Sequence, residues 1–125
     1  NLSRQAFQQG VKRFIFISSA KVNGEFTIGD QKFFSNDFPN PFDFYAKSKF
    51  EAEKALIKIS KMKKMDIVII RAPLVYGPGV KANFLTLINW VNKGLPLPFG
   101  SIQNKRSLVY IENLIDLIIK LIPET

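Results

Sequence analysis

Apolar strand-like runs alternate with amphipathic helical stretches along this sequence, and that order predicts an α/β fold built on a parallel sheet. Three observations carry the prediction. Residues 14–17 are a short, continuous apolar run rich in β-branched and aromatic side chains, the pattern of a strand buried on both faces, and Asp66-Ile67-Val68-Ile69-Ile70 reads as a second buried strand. Between them, residues 43–64 place Tyr45, Ser48, Lys49, Ala52, Leu56 and Ile59 at helical spacing with charges elsewhere. Only two core strands are legible, against about six in an open doubly wound sheet. The 125 residues are therefore expected to form the C-terminal part of a doubly wound parallel sheet.

Residues 3–9 are polar around Ala6 and Phe7, and Gly10 follows where a helix would stop. The first strand leaves Ser18 and Ser19 at its C-terminal end. Residues 21–42 contain Gly24, Gly29, Pro39 and Pro41 and keep no period, which predicts a long loop of the kind that compact domains use for function. Asp43 is a suitable N-cap for the long helix after it. Beyond the second strand, residues 71–79 form a turn-rich exit with two prolines and two glycines. A helix is predicted over 82–93, and Gly94, Pro96, Pro98 and Gly100 make the next segment irregular. A short strand over 107–111 and an amphipathic helix over 112–122 complete the chain. No internal repeat is present.

A composition of 46% hydrophobic and 22% charged residues supports one ordinary globular core. Eighteen Lys and Arg against ten Asp and Glu give a net charge of +8, which admits phosphate-bearing partners without choosing among them. The chain has no cysteine and no histidine, so a thiolate nucleophile, an imidazole base, Ser-His-Asp hydrolysis and a His-built zinc site are excluded; no metal is expected. No run reaches the ~18 apolar residues of a membrane helix. Residues 114–122 come nearest and are interrupted by Asp116 and Lys120. The chain reads as soluble and cytoplasmic, without a membrane partner. It has no N-terminal signal and opens on Asn1 rather than Met, so an upstream portion is expected. Lys58, Lys61, Lys63 and Lys64 cluster at one helix end, where lysines complement the helix dipole; with no recognised binding motif, no nucleic-acid partner is expected.

The strongest chemical constellation is Tyr45-Ala46-Lys47-Ser48-Lys49. Tyr45 and Lys49, at i and i+4, share one helix face about a turn apart. A lysine cation beside a phenol favours the phenolate, which equips a tyrosine to exchange a proton near neutral pH. The spacing by itself is common on half-exposed helices. Its context is less common: a buried strand ending in Ser18-Ser19 sets a hydroxyl at the carboxyl edge of the sheet, where open α/β folds bind ligands. Gly77-Pro78-Gly79-Val80-Lys81-Ala82 has the outline of a dinucleotide fingerprint, but Pro78 removes a backbone N–H from the phosphate cradle and no acidic residue follows ~20 positions on.

Three ordered motifs together carry a resemblance. Phe16-Ile17-Ser18-Ser19 with Val22 and Gly24, the Tyr45 to Lys49 pentapeptide, and Arg71-Ala72-Pro73-Leu74-Val75-Tyr76-Gly77-Pro78-Gly79 resemble extended short-chain dehydrogenases/reductases of the NAD-dependent epimerase/dehydratase type. The resemblance covers essentially the whole chain. It implies a Rossmann-like doubly wound sheet with part of a small substrate-binding lobe, residues 1–125 being a partial domain that lacks the N-terminal glycine-rich half. It implies that Ser19 hydrogen-bonds the reacting sugar oxygen, that Tyr45 relays the proton, and that Lys49 binds the nicotinamide ribose while tuning Tyr45. Ser18, Pro73 and Val75 would line the NAD or NADP site with them. Asn83, Phe99 and Arg106 would join Ser19 in binding substrate, with Phe99 against the base and the Arg106 guanidinium on the diphosphate. A homodimer through the Tyr45 helix is likewise implied.

Departures from the family pattern narrow the activity. Dehydratases of this type carry Asp-Glu directly after the catalytic hydroxyl, where this chain has Ala20-Lys21, so dehydration is disfavoured. Hexose 4-epimerases typically have asparagine at the Leu74 position. Residues 18–25 and 79–85 look most like the branch that includes UDP-N-acetyl-6-deoxyhexose 4-keto-reductases, members of which are often labelled UDP-glucose 4-epimerases. The expected activity is hydride transfer at C4 of a UDP-hexose, as a 4-keto-reductase or 4-epimerase. The alternatives are an inactive truncated remnant of such an enzyme and, remotely, a basic nucleic-acid-binding module.

Overall fold

A computed structural model describes residues 2–63, 65–80, 82–94, 96 and 105–123. The elements in order are α1 (Leu2–Gln8), β1 (Arg13–Ser19), a single 3-10 turn (Ala20–Val22), α2 (Phe44–Lys63), β2 (Asp66–Ala72), β3 (Leu74–Tyr76), α3 (Ala82–Asn92), β4 (Leu108–Tyr110) and α4 (Ile111–Leu121). All strand pairing is parallel: β1 lies beside β2 with Arg13 opposite Asp66 and Ser19 opposite Ala72. β3 lies beside β4 with Leu74 opposite Leu108 and Tyr76 opposite Tyr110. The alternation predicted from sequence is thus present, and α2 packs on both β1 and β2 as the helix of a β-α-β unit.

Four strands are described where the sequence pattern marked two core strands and a short third. The exit over residues 71–79 is not all turn: β2 runs on to Ala72, and after Pro73 the chain re-enters extended structure as β3. Pro73 has no N–H to donate to a ladder, so it punctuates the strand and lets the chain pass from one strand pair to the next. Gly10 (φ 78°) and Gly94 (φ 63°) adopt the left-handed conformation just beyond α1 and α3, the stops that the sequence indicates.

The buried centre lies under α2, where Ala46, Leu56 and Ile59 join Val22, Met65 and Ala72. Many strand side chains are only half-buried, and Ile17 keeps 36% of its surface exposed. The second strand pair is fastened by rings: Tyr76 packs against Tyr110 (centroids 5.4 Å apart) and Phe84 (5.6 Å). Gly77 then passes so close to the start of α4 that an added Cβ would overlap Ile111 Cγ2. Gly77→Ala is expected to destabilise the chain by about 1–3 kcal/mol through overpacking, read as a lowered urea midpoint; an unchanged midpoint would show that Ile111 can yield.

Candidate active site

The site is assembled where β1 ends and α2 begins. Asp43 caps α2: its Oδ1 accepts the Ala46 N–H at 2.6 Å, and its Oδ2 accepts from Lys21 Nζ at 2.7 Å. Lys21 sits in the turn directly after Ser19, so one carboxylate ties the first turn of α2 to the end of β1. Tyr45 lies in that first turn, 54% exposed and open to a ligand. One turn further on, Lys49 Nζ donates to the Ile17 carbonyl at 3.0 Å and stands 5.7 Å from the centroid of the Tyr45 ring. Its other flank is the Phe16 ring, at 5.0 Å. Ser19 closes β1 and its Oγ accepts the Lys21 N–H at 3.3 Å. Tyr45 and Lys49 are therefore together on one face, with Lys49 anchored two residues short of Ser19.

Beneath this face is a polar cluster that the sequence reading missed. Glu53, 1% exposed, accepts from Ser18 Oγ at 2.5 Å and from Arg71 through Nη2 at 2.7 Å and Nε at 3.1 Å. Arg71 Nη1 also donates to Asn23 Oδ1 at 3.2 Å, and Asn23 Nδ2 donates to the Phe34 carbonyl at 2.7 Å. Among the described residues no buried side-chain polar atom lacks a partner. A signal was present: Glu53 continues the stripe of Tyr45 and Lys49 at i+8, and Arg71 closes an apolar run. Ser18, expected at the cofactor, is buried and donates its hydroxyl to Glu53.

Pro73 lies between β2 and β3, and Val75 is the middle residue of β3 opposite Val109. Asn83 falls in the first turn of α3, its side chain outside the description, and Phe99 lies outside the described residues. Arg106 is exposed just ahead of β4. β3 and β4 form a two-stranded sheet separate from that of β1 and β2, with Leu108 opposite Leu74 two residues beyond Arg106. The long loop after the 3-10 turn encloses an open cavity of about 820 Å³, walled largely by Phe26, Phe33, Phe34, Phe38 and Phe42.

The Lys21–Asp43 tie has a pH signature. The Lys21 ammonium, aided by the Ala46 N–H, holds the Asp43 carboxyl below the usual carboxylate range; Asp43 and then Glu25 hold Lys21 above the usual lysine value. A depressed carboxyl stabilises the fold above its unfolded pKa and loses that effect as pH falls through the folded one. Asp43→Asn should therefore melt earlier than the parent at neutral pH and converge with it in acid. A difference that persisted in acid would assign the effect to the cap alone.

The Lys49 ammonium and the Tyr45 phenol thus stand side by side near the carboxyl end of β1. In the turn after β3, Pro78 lacks an N–H and Gly77 packs closely against Ile111.

A half-sheet of parallel strands, with Ser19 at a strand end and the Tyr45–Lys49 helix across it, is part of a Rossmann-type α/β domain. The family model described as "NAD dependent epimerase/dehydratase family" matches residues 1–125, and the chain belongs to that family. It is 60% identical over 120 residues to a Vibrio cholerae protein named UDP-glucose 4-epimerase, a match covering 95% of this chain and 37% of that protein. Among solved structures, UDP-glucuronic acid 4-epimerase from Bacillus cereus, in complex with UDP-glucuronic acid and NAD, superposes with a TM-score of 0.76 at 26% identity, over 99% of this chain and 41% of its own. The UDP-glucose 4-epimerase of Thermus thermophilus, in complex with NAD, shares the fold at a TM-score of 0.79 and 23% identity, over 99% of this chain and 43% of its own. The chain thus spans about two fifths of the length of these relatives. No helix among the described residues is long and apolar enough to cross a membrane.

Proposed function

We propose that this chain is the catalytic segment of a nucleotide-sugar enzyme that acts at C4 of a UDP-hexose, as a 4-epimerase or a 4-keto-reductase. The observation that carries the reading is the Lys49 ammonium held on the Ile17 carbonyl beside the Tyr45 ring, at the strand end formed by Ser18 and Ser19. Tyr45 is the proton-exchanging group for the C4 oxygen and Ser19 a hydrogen-bond partner of that oxygen, with Lys49 holding the ribose. NAD or NADP, when bound, supplies the hydride acceptor and donor. Pro73 and Val75 skirt the nicotinamide through their backbone, and Asn83, Phe99 and Arg106 serve the nucleotide-sugar side. Exposed Ile57 and Met62 leave apolar surface on α2, which suits a homodimer through that helix.

The alternative reading is an inactive remnant of such an enzyme. The test is C4 conversion of UDP-glucose and UDP-N-acetylglucosamine by the full-length protein that carries this chain, beside its Tyr45→Phe variant. Conversion lost with Tyr45 supports the enzyme; a folded parent that converts neither sugar supports the remnant.

A further inference from the structure

We infer that Glu53 is a positioning residue for the Tyr45–Lys49 pair, a role that rests on the function proposed above. Tyr45, Lys49 and Glu53 stand at i, i+4 and i+8 and so form a single stripe along α2. Two consecutive turns of that stripe grip the two consecutive residues of β1 that precede Ser19: Lys49 takes the Ile17 carbonyl and Glu53 takes the Ser18 hydroxyl. The Glu53 carboxylate is itself clamped from β2 by the Arg71 guanidinium, which also holds Asn23 at the base of the long loop.

Glu53 sits at the centre of a four-way joint. α2, the ends of β1 and β2, and the loop root all meet on its two oxygens or on the arginine bound to them. A bare apolar contact would let α2 slide along the sheet, because apolar packing is non-directional. A buried carboxylate with a forked guanidinium fixes distance and rotation together. Rotation of α2 about its axis sets where the Tyr45 ring and the Lys49 ammonium stand relative to the end of β1. Glu53 and its partner Arg71 thus act through Lys49 and Tyr45 without touching substrate.

The test uses the full-length protein that carries this chain, with rates taken per folded molecule by circular dichroism. Glu53→Gln keeps the shape but removes the charge that Arg71 grips; kcat for the UDP-sugar is expected to fall by about 10- to 100-fold, the scale of a misplacement near 1 Å, with KM within about twofold. In a Lys49→Met background, followed in single turnover, Glu53→Gln should cause a smaller further fall, because one of the two residues it positions is gone. Glu53→Asp keeps the charge and the fold while drawing the carboxylate back from Ser18, and should give an intermediate kcat. An unchanged kcat in both variants, or the same fold-loss with and without Lys49, would overturn the positioning role. Either result, beside a Tyr45→Phe that is inactive, would leave the proposed function standing. A Tyr45→Phe enzyme with full turnover would overturn the function itself.

Discussion

Tyr45→Phe in the full-length protein is expected to lower C4 turnover by about 10²–10⁴-fold, the usual share of a positioned acid–base group. Binding of the UDP-sugar, followed by calorimetry, should stay within about twofold, because only one oxygen is removed and the ring remains beside Lys49. The melting curve should not move appreciably. Tyr45 is 54% exposed, and substitutions at such positions are ordinarily worth less than about 0.5 kcal/mol. Loss of turnover with binding and fold intact is the signature of a proton-exchanging group. A variant that retained turnover would remove Tyr45 from the chemistry, and a variant that lost binding as well would make it a substrate contact.

Much of this site was legible because its elements are announced by strong local patterns. The runs at residues 14–17 and 66–70 do form β1 and β2, although their side chains are mostly half-buried rather than buried on both faces. Asp43 before a helical period marked the start of α2, and its carboxylate does cap the helix. The i, i+4 spacing was enough to put Lys49 beside Tyr45. β3 was not legible for a physical reason: Leu74–Tyr76 is three residues between a proline and a glycine, too short to display a period. Its stability comes from pairing with β4 more than thirty residues away, a non-local fact. The Glu53–Arg71 pair was missed because a glutamate in a charge-rich helix ordinarily faces water. Only the stripe it shares with Lys49 shows that it turns inward.

Arg71→Met is expected to be strongly destabilising. It strands the Glu53 carboxylate, 1% exposed, with Ser18 as its remaining side-chain partner. Removing one member of a buried ion pair typically costs about 3–5 kcal/mol, because the desolvated charge that remains has lost its compensation. The double variant Arg71→Met/Glu53→Leu removes both charges and should recover most of that loss. Recovery would be incomplete: the Ser18 hydroxyl and the Asn23 amide would each lose a partner, and unsatisfied buried groups carry penalties of their own. Urea denaturation of the parent, both singles and the double separates these contributions as a cycle. A double variant no more stable than Arg71→Met would show that the arginine acts through its packing and its bond to Asn23. A recovered double with its C4 activity still lost would separate the two tasks of the pair, since apolar side chains can fill the joint beneath Tyr45 and Lys49 without fixing the rotation of α2 that the chemistry requires.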